Sequence, residues 1–281
     1  MPKLGDANDT LGKAFAEHGV PGFLSPKTYK TTWTDYQKNL VEFLNAETQG
    51  TEHADRSSHQ MHTLLSRQPE HAALYNHAAM AHFNHFWWDS LSLTKTEPSD
   101  TLKKDIEEYF GSLDTLKEEM LEHAEAIFGN GFVWLMRERT DYGGGVKTGG
   151  KLRILCTYNA GSPYAEAFMM RQPVDRATGM NPTEQVPLNR SGNYSSQMNI
   201  PQNYVGSSGA YSIAGQTPHT AVNALKADPI LCVNVWQHMW VPDYGLSADS
   251  KQIYLLAWWE RINWQKVEER SSKSNIRGAG R

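Results

Sequence analysis

Cysteine, long apolar runs and an excess of charge of one sign are all scarce in this sequence. Two cysteines in 281 residues exclude a disulfide-rich secreted domain. Cys156 and Cys232 each lie in an apolar run, which favours buried, reduced thiols. No run of eighteen apolar residues exists, so no transmembrane helix is predicted. The net charge of −4 and the pI near 6.3 argue against nucleic-acid binding through the electrostatic field of the whole protein. Any contact with nucleic acid would have to be local.

The N-terminus shows no targeting peptide, because MPKLGDANDTLGKAF is not arginine-rich and contains acidic residues. Residues 1–28 contain several glycines and prolines, and they are predicted to form an irregular leader with a short helix at 11–18. A chain of 281 residues is long enough for one large domain or two small domains with a sizeable core.

From residue 29 onward the apolar pattern becomes helical. Apolar residues recur at spacings of three and four, which places them on one helix face: Trp33, Tyr36, Leu40, Phe43 and Leu44. Further helices are predicted at 56–67 and 70–91, the second of them opened by a proline. The sequence therefore predicts an α-helical hairpin domain at 29–95.

Several histidines are concentrated in the helix at 70–91. They are His71, His77, His82 and His85, with Asn76 and Asn84 beside them. Histidines at i and i+3 or i+4 share a helix face and could bind one metal together. Helical histidines beside aromatic residues are more often packed or solvent-facing than liganding, and this second interpretation is favoured.

The rest of the chain predicts a C-terminal α/β domain at 96–270. Amphipathic helices begin at 99 and 112, strands are predicted at 132–136 and 152–158, and closing helices at 247–259 and 264–270. The glycine-rich turn at 142–150 lacks a phosphate-binding motif, so a flexible hairpin tip is favoured.

Two stretches stand out by composition. Residues 171–218 contain few apolar residues and cannot bury a core, so a polar insertion is predicted at 164–228, either disordered or ordered by a partner. Residues 271–281 form a basic tail containing Lys273, Arg277 and Arg281 and no acidic residue. These cations are candidates for contact with RNA phosphate or an acidic protein surface, although solvated chain ends often have the same composition.

The stretch PILCVNVWQHMWVPDY at 229–244 carries the main chemical signal. A strand is predicted at 229–238, with Asn234 and His238 four residues apart. A carboxylate at 234 would make this stretch Asp-x-x-x-His, two metal ligands delivered by one strand. The amide of Asn234 is a poor ligand for a transition metal, whereas a neutral imidazole is a good one. The stretch is therefore either a metal site or the remnant of one.

Four regions of the chain, taken in order, carry a family resemblance. They are DYQKNLVEFLNAET at 35–48, AAMAHFNHFWWDSLS at 78–92, FGSLDTLKEEMLEHAEAIFGNGFVWLM at 110–136 with TYNAGSP at 157–163, and VNVWQHMWVPDY with YLLAWWERINWQKVEER at 233–270. Together they resemble the iron/manganese superoxide dismutase family. The resemblance covers most of 29–136, 151–163 and 229–270, and it does not cover the leader, the polar insertion or the basic tail.

The resemblance implies an α+β fold, in which an α-helical hairpin domain is followed by a three-stranded antiparallel sheet with helices. Active members hold iron or manganese with three histidines and one aspartate, and they disproportionate superoxide by cycling the metal between two oxidation states. Members dimerise through the face that carries the metal. On this chain Gln237, His238 and Trp240 are the candidates for that dimer face.

The ligand set implied by the resemblance is degenerate. The four ligand positions fall on Thr32, Asn84, Asn234 and His238, and only the last is a ligand type. Other functional positions are also changed, because the gatekeeping tyrosine, both sources of a glutamine near the metal and the glutamate that bridges the dimer fall on Leu40, Met80, Ala160 and Gln237. A changed partner behind the ligands alone typically costs 10–100-fold in affinity or activity. The sequence therefore predicts no catalytic residue, no metal and no cofactor, even if His85 were shifted into the second position.

A divergent branch of this family in fungi consists of small-subunit proteins of the mitochondrial ribosome that lack the metal site. The resemblance to that branch implies a non-enzymatic structural subunit in the mitochondrial matrix. Its partners would be other small-subunit ribosomal proteins, a second dismutase-like subunit in a dimer, and at most limited rRNA. Two alternatives stay open, namely an active iron or manganese superoxide dismutase with altered ligands and a dimeric scaffold outside the ribosome.

Overall fold

The computed structural model describes residues 2–66, 68–138, 150–168 and 227–277. Most of the predicted polar insertion and of the glycine-rich turn lies outside these residues. The helices are α1 (Thr10–His18), α2 (Pro26–Tyr29), α3 (Tyr36–Thr48), α4 (Ser58–Leu65), α5 (Ala72–Trp88), α6 (Asp100–Phe110), α7 (Leu113–Ala126), α8 (Ala165–Phe168), α9 (Gln237–Tyr244), α10 (Ser250–Trp259) and α11 (Trp264–Arg277), with a π segment at Lys30–Asp35 and a 3-10 turn at Pro69–His71. The strands are β1 (Gly131–Glu138), β2 (Leu152–Tyr158) and β3 (Ala227–Asn234).

One helical run extends from α2 through the π segment into α3. Ser25 caps its start, because its hydroxyl accepts the backbone N–H of Thr28, and Pro26 occupies the first turn, where a missing N–H costs nothing. The π segment widens the helix at Thr32 and Trp33, both of which are buried. Such local π turns are rare and often lie at functional sites.

Helix α1 confirms the short helix predicted at 11–18 within the leader, and it packs against α2 of the helical run. Leu4 and Phe15 are fully buried, and the ring of Phe15 lies 5.8 Å from that of Trp88 at the end of α5. Tyr29 lies 5.0 Å from Trp88 in an edge-to-face contact. The N-terminal stretch therefore contributes Leu4, Phe15 and Tyr29 to the core, and aromatic contacts hold it there.

Helix α5 lies at the centre of the molecule. It packs against α3, α4 and β3, and Ala78 to Ala81 are buried in succession, which allows neighbouring backbones to approach closely. From α11, Arg270 donates to Ser90 Oγ at 2.6 Å and to Phe86 O at 3.2 Å, and it lies 3.7 Å over the Phe86 ring. The same guanidinium pairs with Asp89 at 3.2 Å. Arg270 thus fastens the C-terminal helix to the end of α5.

The three strands form one antiparallel sheet in the order β2-β1-β3, which confirms the predicted α+β fold. β1 is the central strand and is buried from Gly131 to Arg137. Phe132 pairs with Thr157 on one side and with Asn234 on the other. The register of β3 shifts opposite Leu135 and Met136, beside Pro229, which has no N–H to donate to the ladder.

The predicted strand at 229–238 is wrong at its C-terminal end. β3 ends at Asn234, and His238 lies in the first turn of α9. The side-chain oxygen of Asn234 accepts the backbone N–H of Trp236 at 2.9 Å, a local turn that ends the strand. Because the apolar run continues across this turn, periodicity could not locate the boundary.

No helix in the described part of the chain is both long and apolar enough to cross a bilayer. Both cysteines are free thiols, Cys232 buried and Cys156 partly buried. Burial raises the pKa of each thiol above its ordinary value, so neither is a reactive thiolate.

Candidate metal centre

The residues at the predicted ligand positions come from four elements that meet where α5 packs on the sheet. Thr32 lies in the π segment, Asn84 in α5, Asn234 at the end of β3 and His238 at the start of α9. Thr32 and Asn84 are in direct contact, since Asn84 Nδ2 donates to Thr32 O at 3.1 Å. Asn84 and Asn234 are both fully buried.

Asn84 is held by a chain of amide hydrogen bonds. Besides Thr32 O, its Nδ2 donates to Gln37 Oε1 at 2.9 Å, and Gln37 Nε2 donates to Ala81 O at 2.9 Å. Because both partners of Asn84 Nδ2 are acceptors, the amide can face only one way. Asn84 Oδ1 is buried and has no hydrogen-bond partner among the described residues.

The side-chain amide of Asn234 is hydrogen-bonded through its oxygen, whereas that of Asn84 is hydrogen-bonded through its nitrogen. Its Oδ1 accepts the N–H of Trp236, while its main-chain oxygen accepts the hydroxyl of Tyr254 at 2.7 Å. Asn234 Nδ2 is therefore the free end of the amide, and within the described part of the chain it is buried without a partner.

His238 is held by aromatic rings. Its ring centroid lies 4.9 Å from that of Tyr36 and 5.5 Å from that of Trp236. Burial lowers the pKa of His238 to about 4, so the imidazole is neutral at pH 7, and burial raises the pKa of Tyr36 to about 12. His238 Nε2 is buried and lacks a hydrogen-bond partner among the described residues.

Thr32 offers no free ligand atom. Its hydroxyl donates to Thr28 O at 2.7 Å within the helical run, and its carbonyl accepts from Asn84. Both polar groups of the residue therefore serve hydrogen bonds inside the protein.

These residues do not fit an iron or manganese ion. Only one imidazole is present and no carboxylate, whereas such metals are held by charged and imidazole ligands. The N–H of Asn234 would direct a partial positive charge at a cation. Across residues 2–66, 68–138, 150–168 and 227–277, no three histidine, cysteine, aspartate or glutamate side chains are grouped so as to hold a metal.

The sequence was compared with models of known protein families. The model of the C-terminal domain of iron/manganese superoxide dismutases matches residues 98–174 and 205–270, which is about half of the chain. The chain belongs to the iron/manganese superoxide dismutase family.

Individual relatives in the family are of two kinds. Small ribosomal subunit protein mS43 of Schizosaccharomyces pombe is 28% identical over 262 residues, covering 90% of this chain and 80% of the relative. Small ribosomal subunit protein mS42 of the same organism is 24% identical, covering 92% of this chain and 93% of the relative. Superoxide dismutase [Mn] of Acinetobacter baylyi is also 24% identical, with 92% and 85% covered. Identity alone therefore does not separate a ribosomal from an enzymatic relative.

Sequence reasoning missed Gln37, which takes part in the amide chain around the family's metal position. A signal for it exists, because Gln37 lies four residues after Trp33 and three before Leu40 on the buried face of the helical run. A polar residue in an apolar helix face indicates a buried hydrogen-bond partner. The other changed positions, Leu40, Met80 and Ala160, are buried.

The histidines of α5 are packed or hydrogen-bonded. His85 Nε2 lies 3.1 Å from Lys3 O, and the ring of His77 stacks on Phe43 at 3.7 Å. His82 Nε2 lies 2.7 Å from the hydroxyl of Tyr164, and its ring lies 5.5 Å from that of His62 on α4. These contacts agree with the packing interpretation of the helical histidines.

The residues predicted for the family's dimer face differ in exposure. Gln237 is exposed and its backbone N–H donates to Asn130 Oδ1 at 3.2 Å, whereas His238 is partly buried and Trp240 is 8% exposed. Two residues before Asn130, Phe128 is 95% exposed, an unusual setting for a phenylalanine. In the tail, Lys273 and Arg277 lie on α11, but their side chains, like the whole of Arg281, lie outside the described residues.

Proposed function

We propose that this chain is a structural component of the small subunit of a mitochondrial ribosome, a dismutase-fold protein without dismutase chemistry that works in the mitochondrial matrix. The observation that carries the proposal is the hydrogen-bonded state of the ligand positions. Thr32, Asn84 and Asn234 use their polar groups to hold the fold together, and these residue types supply neither the imidazoles nor the carboxylate of an iron or manganese site. The names of the relatives mS43 and mS42 support the ribosomal assignment.

The proposed assembly includes a dimer with a second dismutase-like subunit. The surface near Gln237 supports this, because the exposed ring of Phe128 precedes Asn130, which accepts the N–H of Gln237. An aromatic ring exposed beside polar groups is typical of an interface residue. Gln237, His238 and Trp240 remain the proposed dimer-face residues.

Contacts within the ribosome are proposed to be mainly with proteins. A net charge of −4 does not favour broad contact with RNA phosphates. Any rRNA contact is assigned to the basic tail, through Lys273, Arg277 and Arg281.

Sedimentation of a mitochondrial lysate that contains the full chain tests the ribosomal assignment. We expect the chain to co-migrate with the small subunit and to leave it only at high salt. Migration in the light fractions under gentle salt would reject the assignment and favour a dimeric scaffold outside the ribosome.

The second candidate, a dismutase with altered ligands, is favoured only by the retained His238 and by the enzymatic relatives. Metal analysis and a superoxide assay of the purified chain decide it. We expect sub-stoichiometric iron and manganese and no activity. One equivalent of either metal together with dismutase activity would overturn the proposed function.

A further inference from the structure

Three of the four residues at the family's ligand positions each have a buried polar side-chain atom, and they lie on separate elements. The atoms are Asn84 Oδ1, Asn234 Nδ2 and His238 Nε2, and none has a hydrogen-bond partner among the described residues. Both asparagines are 0% exposed. A buried polar atom without a partner costs free energy, so native proteins satisfy such atoms with protein groups or with internal water.

Packing contacts connect the elements that carry the three side chains. Tyr36, which precedes Gln37 of the amide chain, lies 4.9 Å from the His238 ring. Phe83, which precedes Asn84, lies 5.6 Å from Phe132, and Phe132 pairs directly with Asn234 in the sheet. Since α3 also packs on α5 and α5 on β3, the elements that carry the three side chains are linked by direct packing contacts.

The orientation of each amide is set by its other hydrogen bonds. Rotating Asn234 would place its NH2 group against the N–H of Trp236, so two donors would face each other. Rotating Asn84 would place its oxygen against Thr32 O and Gln37 Oε1, and Gln37 cannot rotate in turn because its Nε2 donates to Ala81 O. Asn84 therefore presents a free acceptor, and Asn234 presents a free donor.

We propose that one ordered water molecule, and not a cation, bridges Asn84 Oδ1, Asn234 Nδ2 and His238 Nε2. The water donates one hydrogen to Asn84 Oδ1 and accepts the N–H of Asn234. Its remaining hydrogen and lone pair suit either tautomer of His238, because Nε2 can accept or donate. Three hydrogen bonds are the usual number for an internal water. A metal ion would meet the N–H of Asn234 and is rejected by it.

A water at this position gives the former metal centre a structural use. It links α5, β3 and α9 through one neutral molecule, as the family's metal links the same positions through charge. The inference rests on the geometry of the cluster and not on the ribosomal assignment. A chain that failed to sediment with ribosomes would leave it standing.

A high-resolution crystal structure of the full chain, from crystals soaked in manganese chloride, tests the proposal. We expect one density peak within about 3.2 Å of all three atoms, with no anomalous signal at the manganese edge. An anomalous peak there, or direct pairing of the three side chains with no density between them, would overturn the proposal.

Oxygen-17 relaxation dispersion, which counts long-lived internal waters, gives a second test in solution. His238→Phe replaces the imidazole with a ring that makes no hydrogen bond, and it is expected to remove one such water. His123→Phe is the matched control, since His123 is exposed on α7, and it is expected to leave the count unchanged. An unchanged count in His238→Phe would contradict the proposal.

Discussion

Three of the four side chains at the metal position form hydrogen bonds to neighbours within the protein. Asn84 binds Thr32 and Gln37, and Asn234 binds the backbone of Trp236. Each such hydrogen bond contributes only about 1 kcal/mol net, whereas a buried group left without its partner costs about 1–3 kcal/mol. A single substitution in this cluster is therefore expected to lower the free energy of unfolding by more than the loss of one hydrogen bond would.

Replacing Asn234→Asp restores the family's carboxylate alone, and we expect neither metal binding nor dismutase activity. Thr32 and Asn84 still supply no imidazole, and the new carboxylate is buried with no positively charged partner among the described residues, which costs several kcal/mol or forces it to stay protonated. Metal analysis, a superoxide assay and denaturant unfolding check this expectation.

Asn39→Asp, an exposed change of the same kind on α3, is the control and should leave stability within about 0.5 kcal/mol. Uptake of one manganese per chain by Asn234→Asp would contradict the expectation.

Replacing Gln37→Leu should destabilise the fold by about 1–3 kcal/mol. Leucine has a similar size, but it removes one of the two acceptors of Asn84 Nδ2 and the donor to Ala81 O, and it leaves the rotation of the Asn84 amide less restricted. Urea unfolding measures the change in the free energy of unfolding. Gln265→Leu, at an exposed position on α11, serves as the matched control, and equal effects of the two changes would argue against the amide chain.

At the residue scale, the sequence predicts which ligand types are missing but not what the replacements bind. The loss of ligands at Thr32, Asn84 and Asn234 is visible because a family pattern supplies the expected types. The chain through Gln37 joins residues 47 positions apart in sequence, and only the packing of α3 on α5 brings them together. Sequence spacing indicates that Gln37 is buried and needs a hydrogen-bond partner, but it does not identify that partner.

Among the elements, the pair of helices α4 and α5 is joined partly through histidines. His62 is fully buried, with Nδ1 3.2 Å from Ser58 O and Nε2 3.3 Å from Ser162 Oγ. Burial, and next the neighbouring His59, lower the pKa of His62 to about 4. Burial and then His62 hold the pKa of His82 well below its ordinary value, with further contributions from His59, His85 and Arg270.

Acidification should therefore loosen this pair of helices. Between pH 6.5, the ordinary pKa of histidine, and about pH 4, the unfolded chain binds a proton at position 62 and the folded chain does not, so stability falls as the pH falls. His62 alone accounts for about 3 kcal/mol over that range. The packed neighbours are Tyr75, Phe83 and Tyr164 together with His59 and His82, and none carries a negative charge at pH 7.

Denaturant unfolding between pH 7.5 and 4.5 checks this dependence. His62→Asn should flatten the slope of stability against pH, and His123→Asn, at an exposed position on α7, should not. Equal slopes in the two variants would contradict the assignment to His62.

Element boundaries show the limit of periodicity in the same way. The helices and the antiparallel sheet follow from the spacing of apolar residues, and the structure confirms the fold class. The predicted end of β3 is wrong, because the real end depends on one side-chain hydrogen bond within an unbroken apolar run. The short helix expected in the leader is confirmed by α1, but its spacing does not show that Phe15 packs on the distant ring of Trp88.

At the scale of the whole molecule, the exposed surface near α9 is the proposed contact with a partner subunit. Phe128 is 95% exposed and Gln237 is exposed, while Trp240 is nearly buried within the chain. Burying a phenylalanine ring contributes about 1.5–3 kcal/mol, which makes Phe128 the strongest single apolar contact that this surface can offer.

Replacing Phe128→Ser should weaken association with the second dismutase-like subunit about ten- to hundredfold without lowering the melting temperature of the isolated chain. Co-purification under gentle salt followed by sedimentation measures the loss. Ile253→Ser removes another exposed apolar side chain, on α10, and is expected to leave the association intact. If Phe128→Ser retained its partner in full, the proposed dimer face would be wrong.

The amide chain from Ala81 through Gln37 to Asn84 also has a consequence for the history of such a protein. Any one change toward a metal ligand breaks a hydrogen bond or buries a charge before the remaining ligands exist to repay it. A lineage that acquires this arrangement must cross a fitness valley of several simultaneous substitutions to regain redox chemistry. The loss of the metal site is therefore hard to reverse in evolution, and the fold can then be selected for a structural role alone.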